Sequence, residues 1–180
     1  MSSMQYNVSQ LLKSDIGSTR GYDFESDESL DLDDSVAHDI TGHVKFTLTN
    51  FGIIAAVQAR AVLSLTCARC LEPFEKPTSV SFEEEYRPVI DVVTGLPATT
   101  PPSDTAFTIP QNHTIDLGEA IRQHLVLAID LVPIHSPDCK GLCPTCGVNL
   151  NVEECKCPPI EEQSPFAVLQ GLLAGNDRER

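Results

Sequence analysis

Alternation of apolar and polar side chains dominates the first half of the chain. Three segments follow this pattern, with one face of each segment apolar: residues 40–48, 53–65 and 80–86. A period of two residues is typical of half-buried β-strands. Residues 50–52 (Asn-Phe-Gly) predict a tight turn between the first two segments, and a short connection containing two cysteines separates the second from the third. The pattern therefore predicts an antiparallel meander.

A helical period replaces the alternation after Asp116. Asp116 and Glu119 have the spacing of a capping box with Asp116 as the N-cap, which predicts that the helix begins near Asp116. Pro133 is expected to end the helix. His124 lies on the apolar stripe, so we predict a buried, hydrogen-bonded core residue rather than a catalyst. The stripe consists of Leu117, Ala120, Ile121, His124, Leu125, Ala128 and Ile129.

The remaining segments predict loops and one short terminal helix. Residues 25–39 are strongly acidic and sparse in apolar side chains, which predicts a solvated loop. A second interpretation is a binding site for a basic partner. Residues 88–112 are rich in proline and predict a surface loop. Ser164-Pro165 predicts the start of a short C-terminal helix whose apolar positions include Phe166 and Leu169.

These elements predict an α+β fold: an antiparallel β meander or small barrel-like sheet with one long helix, a cysteine-rich zinc loop and a short C-terminal helix. Residues 1–133 are expected to form the core, with the loops at 25–39 and 88–112. Residues 134–180 are expected to contain the cysteine-rich loop and the terminal helix, and to form one structural unit with the core. A length of 180 residues is compatible with this division.

The charge of the chain limits its partners. The formal net charge is −14, and so acidic a surface repels phosphate backbones. Direct binding of naked RNA is therefore disfavoured, and a basic protein partner is favoured. The sequence contains no apolar run of about twenty residues and no pattern of a signal peptide, so we expect a cytoplasmic protein without membrane contact.

Five of the seven cysteines lie near the end of the chain, in residues 139–157. Cys143-Pro-Thr-Cys146-Gly147 has the form of a zinc knuckle, in which two thiolates three positions apart bind one ion. Gly147 is expected to adopt the left-handed backbone that often follows the second ligand. Cys155 and Cys157 complete a local set of four ligands. We favour this set for a structural Zn²⁺, because it closes only a short loop.

A second arrangement pairs Cys143 and Cys146 with Cys67-Ala-Arg-Cys70, which has the same spacing and lies between two predicted strands. Cys139 is an additional ligand in either arrangement. If the local set forms, the remaining Cys67, Cys70 and Cys139 can form a second site, with His135 as a less favoured fourth ligand.

Other chemistry is also compatible with cysteines at this spacing. A thiol redox protein that uses Cys67 and Cys70 is the main alternative, although Leu71-Glu72-Pro73 does not predict the helix start that lowers a thiol pKa. A zinc hydrolase is disfavoured because the chain has no His-Glu-x-x-His array. Thiolates also bind iron–sulfur clusters, so that alternative stays open.

Four groups of residues together resemble the YceD family, the large ribosomal RNA subunit accumulation proteins. The groups are Cys67-Ala-Arg-Cys70-Leu-Glu-Pro-Phe, then Ile115–Glu119 with Ile129–Pro133, then Cys139–Gly147 with Asn149 and Asn151, and finally Ser164–Leu169. Their order and combination are specific, although no single motif is decisive. The resemblance covers most of the chain.

The resemblance implies a bacterial or organellar protein that supports synthesis, processing or stability of large-subunit (23S) ribosomal RNA. It also implies a genomic association with a small basic ribosomal protein, and it supplies no catalytic residues. Some members lack the second cysteine cluster, which implies a structural role for the metal. We therefore predict a non-enzymatic ribosome-biogenesis factor that contacts a basic ribosomal or assembly protein and has no small-molecule substrate.

Overall fold

The computed structural model describes residues 4–98 and 107–158. Its main sheet has six strands, with the order β2-β4-β5-β6-β7 and with β3 paired to β4. A separate two-stranded sheet pairs β1 with β8. The strands are β1 (Gln5–Asn7), β2 (Thr19–Ser26), β3 (Leu30–Asp31), β4 (Val36–Leu48), β5 (Ile53–Thr66), β6 (Pro73–Pro88), β7 (Phe107–Ile109) and β8 (Thr114–Asp116). The helices are α1 (Ser9–Leu12) and α2 (Gly118–Ala128).

The central meander confirms the period-two prediction. Strands β4, β5 and β6 pair antiparallel in chain order, and among the described strands only the pair of β6 with β7 is parallel. Along β5 the odd-numbered positions from Ile53 to Leu65 are buried, while their neighbours are exposed or half-buried. Each large aliphatic side chain buried in this way stabilises the sheet by about 1.5–3 kcal/mol. The fold is therefore a mostly antiparallel sheet with few helices.

The predicted long helix is not confirmed in its length, and it begins two residues after Asp116. Helix α2 has 11 residues and begins at Gly118, because Asp116 closes β8 and its carboxylate accepts the Gly118 N–H at 2.8 Å. Glu119 does not form the capping box and instead accepts hydrogen bonds from Arg122 and Gln123. The chain is already extended at Ile129. The apolar stripe predicted the buried face correctly, but such a stripe does not determine where a helix ends.

The acidic segment 25–39 is not the predicted loop. It contains the end of β2, all of β3 and the start of β4. Leu32 and Ala37 are buried in the core there. A β-bulge between His38 and Thr41, with Asp39 at a positive φ of 52°, shifts the side-chain alternation. The bulge conceals the strand from a search for strict alternation, because the register changes inside it.

The proline-rich segment 88–112 contains a strand and a turn as well as loop. An isolated bridge joins Ile90 to Pro97, and the Asp91 carboxylate accepts hydrogen bonds from the Val93 and Thr94 backbones. Strand β7 follows at Phe107. The predicted C-terminal helix lies outside the described residues, and the division of the chain at residue 133 stays a prediction. Within the described part, no helix is long and apolar enough to span a membrane.

Candidate metal centres

The turn between β5 and β6 places two thiols side by side. The Cys67 N–H donates to the Glu72 carbonyl at 2.9 Å, and the Leu71 N–H donates to the Cys67 carbonyl at 2.9 Å. Leu71 has a positive φ of 59°, which lets the chain reverse within so few residues. Cys67 and Cys70 are therefore held at the end of the hairpin, where both are buried.

Hydrogen bonds attach the segment after α2 to this turn. The Ala68 N–H donates to the Pro133 carbonyl at 2.8 Å. Arg69 donates through Nη1 to the carbonyls of Pro137 at 3.2 Å and Cys139 at 3.0 Å. We call these two Arg69 contacts the Arg69 clamp. They hold this segment against the hairpin, so that residues about seventy positions apart in the chain lie next to each other.

Gly141 makes this close approach possible. Its φ is +74°, and a Cβ atom there would lie 3.1 Å from the Arg69 carbonyl oxygen. That oxygen accepts the Leu142 N–H at 3.1 Å. A side chain at position 141 would push the two backbones apart, and glycine adopts this left-handed backbone without strain.

Four side chains meet at the hairpin and form what we call the hairpin cluster: Cys67, Cys70, His135 and Cys139. Their ligand atoms all lie within 4.8 Å of one another. The sulfur atoms of Cys67 and Cys139 are 3.9 Å apart, and Cys70 Sγ is 3.5 Å from His135 Nδ1. Tetrahedral metal bonds of about 2.3 Å to sulfur and 2.0 Å to nitrogen require separations of about 3.8 and 3.5 Å. The cluster therefore matches a four-coordinate metal site in both chemistry and size.

The thiols of the hairpin cluster differ in pKa. Burial raises the pKa of Cys67, but hydrogen bonds from the His135 and Cys70 backbones outweigh it and lower the pKa to about 5. For Cys70, a backbone hydrogen bond from Glu72 favours the thiolate, but burial and the neighbouring thiols of Cys67 and Cys139 raise its pKa. One thiolate thus hinders the ionisation of the next, and a bound divalent cation removes this obstacle.

A second group, which we call the loop cluster, consists of Cys143, Cys146, Cys155 and Cys157, whose sulfur atoms also lie within 4.8 Å of one another. The Gly147 N–H donates to the Cys143 carbonyl at 2.8 Å, and Gly147 has the predicted positive φ, here 74°. Cys155 Sγ lies 3.3 Å from Cys143 Sγ and 3.5 Å from Cys146 Sγ. These separations are slightly shorter than those of a metal tetrahedron, and the four thiols fit one divalent ion.

The thiols of the loop cluster also differ in pKa. Hydrogen bonds from the Cys146 and Thr145 backbones lower the pKa of Cys143 to about 6. Hydrogen bonds with the thiols of Cys155 and Cys146 raise the pKa of Cys157 to about 12. Four thiols at this distance cannot all ionise without a cation between them.

A polar contact that the sequence did not predict joins the two clusters. Asn151 donates through Nδ2 to Cys139 Sγ at 3.4 Å and accepts the Lys140 N–H at 2.8 Å. Asn149 donates to the Glu72 carboxylate at 3.4 Å. Residues in the loop that encloses one cluster therefore orient a ligand of the other. The only signal for this in the sequence is the pair of asparagines within the Cys139–Asn151 motif.

Both predicted sets of ligands can now be compared with the geometry. The structure brings together the local set at the loop cluster, and it brings Cys67, Cys70 and Cys139 together with His135. It does not bring Cys143 and Cys146 to the Cys67-x-x-Cys70 turn, because the segment that ends at Cys139 occupies that position. Two groups that can each hold a metal ion, rather than one group shared across the chain, thus occur among the described residues.

The family profile described as "Large ribosomal RNA subunit accumulation protein YceD" matches residues 55–173, about two thirds of the chain. The match includes most of β5, all of β6 and α2, and every residue of the two clusters. No solved structure matches the chain.

Curated relatives match over shorter segments. A maize protein named "Large ribosomal RNA subunit accumulation protein YCED homolog 1, chloroplastic" is 48% identical over 60 residues, which are 33% of this chain and 20% of the maize protein. The Arabidopsis thaliana protein of the same name is 35% identical over 63 residues, or 35% of this chain and 20% of that protein. An uncharacterised Mycobacterium tuberculosis protein is 36% identical over 87 residues, or 48% of this chain and 40% of that protein.

The matched segments span two fifths or less of these relatives' own lengths. The profile match, by contrast, covers more than half of this chain and includes both cysteine clusters. The chain therefore belongs to the YceD family of large ribosomal RNA subunit accumulation proteins.

Proposed function

We propose that the chain is a non-enzymatic ribosome-biogenesis factor that supports synthesis, processing or stability of large-subunit (23S) ribosomal RNA. The observation that carries this proposal is the family match over residues 55–173. The names of the maize and Arabidopsis relatives support it, since both refer to accumulation of the large ribosomal RNA subunit.

In this function each cluster holds one structural Zn²⁺. Cysteine and histidine ligands suit zinc, and a site with four protein ligands leaves no open position for catalysis. When bound, the metal supplies a cross-link. At the hairpin, Cys67 and Cys70 are joined in this way to His135 and Cys139. Because a bound metal stabilises only the folded chain, its binding free energy adds to the stability of the fold.

The partner in this proposal is a basic ribosomal or assembly protein. The net charge of −14 attracts a cationic protein and repels naked RNA. A pull-down at moderate salt should recover a basic protein. Recovery of bare ribosomal RNA without a protein would contradict this part of the proposal.

The thiol redox alternative has one favourable feature, the lowered pKa of Cys67. Against it, Cys67 and Cys70 are both buried, and Cys67 lies beside Cys139 at the distance of two metal ligands. A redox enzyme needs an accessible sulfur for its substrate. An insulin-reduction assay separates the two functions, because activity with zinc present would favour the redox enzyme.

The function is tested in the source cell by removing the gene and measuring the ratio of large-subunit to small-subunit ribosomal RNA. We expect the ratio to fall and to recover when the unaltered gene is restored. An unchanged ratio would overturn the proposal. Plasma mass spectrometry on the purified protein should find two zinc ions, and visible absorbance after anaerobic purification would instead indicate an iron–sulfur cluster.

A further inference from the structure

An open apolar groove lies between the turn that joins β3 to β4 and the end of α2. Its volume is about 430 Å³. Buried Leu32 and Leu65 form its floor, and half-buried Val126 and Ile129 form one wall. Leu131 stands at its edge and is fully exposed. Apolar side chains exposed around an open groove can mark a site of protein–protein interaction.

Carboxylates surround the groove. Asp33, Asp34 and Asp130 all line its rim. Asp130 pairs with Lys76, and Asp33 lies 3.9 Å from Arg122, so both are partly neutralised. Asp34 has no cation within 4.0 Å among the described residues. The rim therefore retains net negative charge beside an apolar floor.

Three occupants of the groove can be compared: the end of the same chain, a second copy of the chain, and a protein partner. Their charges distinguish between them. Residues 159–180 of the same chain contain four acidic and two basic side chains. Their net charge is therefore negative, like that of the rim, and the rim repels them. A second copy of the chain brings a further formal charge of −14. A basic protein supplies the opposite charge, and charge complementarity of this kind determines specificity and the rate of association.

We propose that this groove is the docking site for a basic amphipathic segment of the protein partner. A large apolar side chain of that segment fills the space between Leu65 and Ile129, contacts Leu131, and places lysine or arginine against Asp33 and Asp34. The inference rests on the proposed function for the basic character of the partner. It adds the place of contact and the pattern of side chains that the partner presents.

The test uses the full chain and a fluorescein-labelled peptide of leucine and lysine, about 14 residues long, with leucines at helical spacing. A scrambled peptide of the same composition is the second probe. Fluorescence anisotropy at physiological salt measures both affinities. We expect the patterned peptide to bind about tenfold more tightly than the scrambled one, because only the patterned peptide places adjacent leucines on one face.

Three variants of the chain locate the contact. Leu131→Ser should weaken binding of the patterned peptide about tenfold, because the exposed leucine becomes buried on binding and serine loses that hydrophobic contribution. Asp33→Asn combined with Asp34→Asn should weaken binding of the patterned peptide about threefold and reduce the salt dependence of its affinity. Asparagine tolerates the positive φ of 70° at position 33. Leu127→Ser is the matched control, since Leu127 is exposed, lies on α2 and does not line the groove.

Several results would overturn the proposal. Equal affinity for the two peptides, or an equal loss in Leu127→Ser, would show that binding is not specific to the groove. At least tenfold tighter binding by a chain with Leu172→Ser and Leu173→Ser would identify the chain's own end as the occupant. A dimer in sedimentation that Leu131→Ser dissociates would identify a second copy.

The same variants separate this inference from the function on which it rests. In the gene-removal experiment, failure of the unaltered gene to restore the RNA ratio would reject the proposed function itself. If the unaltered gene and the gene with Leu131→Ser, Asp33→Asn and Asp34→Asn restore the ratio equally, only the groove proposal is rejected. We expect the unaltered gene alone to restore it fully.

Discussion

The hairpin cluster and the loop cluster have similar ligands but very different surroundings. At the hairpin, three thiols are buried, and the ligands come from two segments about seventy residues apart. In the loop cluster, Cys146 is exposed, Cys155 and Cys157 are half-buried, and all ligands lie within residues 143–157. The difference teaches that similar sets of metal ligands can have unequal structural consequences. A metal that joins distant segments supports the whole fold, whereas a metal within one loop supports that loop.

The strongest test of this difference is Cys67→Ser. The substitution should remove one of the two proposed zinc ions and lower the free energy of unfolding by about 4 kcal/mol or more, since loss of a metal is among the most destabilising changes. The reason is that the hairpin, α2 and the cysteine loop lose their common attachment. Metal analysis and urea unfolding followed by circular dichroism measure both effects. Retention of two ions would contradict the assignment of Cys67 as a ligand.

Cys143→Ser is the matched substitution in the loop cluster. It should also remove one ion, but the free energy of unfolding of the sheet should fall by about 1 kcal/mol or less. Hydrogen exchange should accelerate for residues 143–157 and remain slow in β4, β5 and β6. If Cys143→Ser destabilises the sheet as strongly as Cys67→Ser, the two clusters are not independent and the comparison fails.

Gradual removal of metal should distinguish the clusters without any substitution. A chelator should take the ion of the loop cluster first, because Cys146 is exposed there and the ligands can detach by local opening. The hairpin ion should follow only under conditions that unfold the sheet. Iodoacetamide labelling with mass spectrometry should find Cys146 modified before Cys67. Simultaneous loss of both ions would show that one opening event controls both sites.

Asn151→Ala tests the contact between the clusters and should have the smallest effect on metal binding. Loss of its hydrogen bond to Cys139 should lower the metal affinity of the hairpin cluster about tenfold, as is usual for groups that orient a ligand. The free energy of unfolding should fall by about 1 kcal/mol. Competition with a chromophoric chelator measures the affinities. Val152→Ala is a suitable control, because Val152 is adjacent and exposed, and it should change neither quantity.

The sequence was most informative where one local pattern determines the structure. The alternation over 53–65 predicted the buried face of β5, and the turn chemistry of Cys143–Gly147 predicted the knuckle backbone. The prediction that His124 is a hydrogen-bonded core residue was partly correct. Its ring stacks on Phe82 at 3.8 Å and bonds Glu84 at 2.8 Å, but the side chain is half-buried rather than fully buried.

Features that depend on distant contacts were not predictable in the same way. Spacing alone could not decide which cysteines share a site, because Cys67-x-x-Cys70 and Cys143-x-x-Cys146 have the same spacing. The Arg69 clamp decides it, and that clamp uses backbone carbonyls that have no signature in the sequence. The bulge near Asp39 concealed β4 for a related reason, since it is defined by pairing with β5.

The separation of the hairpin ligands along the chain has a consequence for synthesis. Cys67 and Cys70 lie in the turn between β5 and β6, but Cys139 follows 69 residues after Cys70. Translation adds about 5–20 residues per second, so Cys139 is synthesised roughly 3 to 14 seconds after Cys70. During that interval the nascent chain presents an incomplete pair of sulfur ligands. In the proposed function, stable loading of the hairpin ion is therefore a late step, because it follows synthesis of Cys139 and of every described strand.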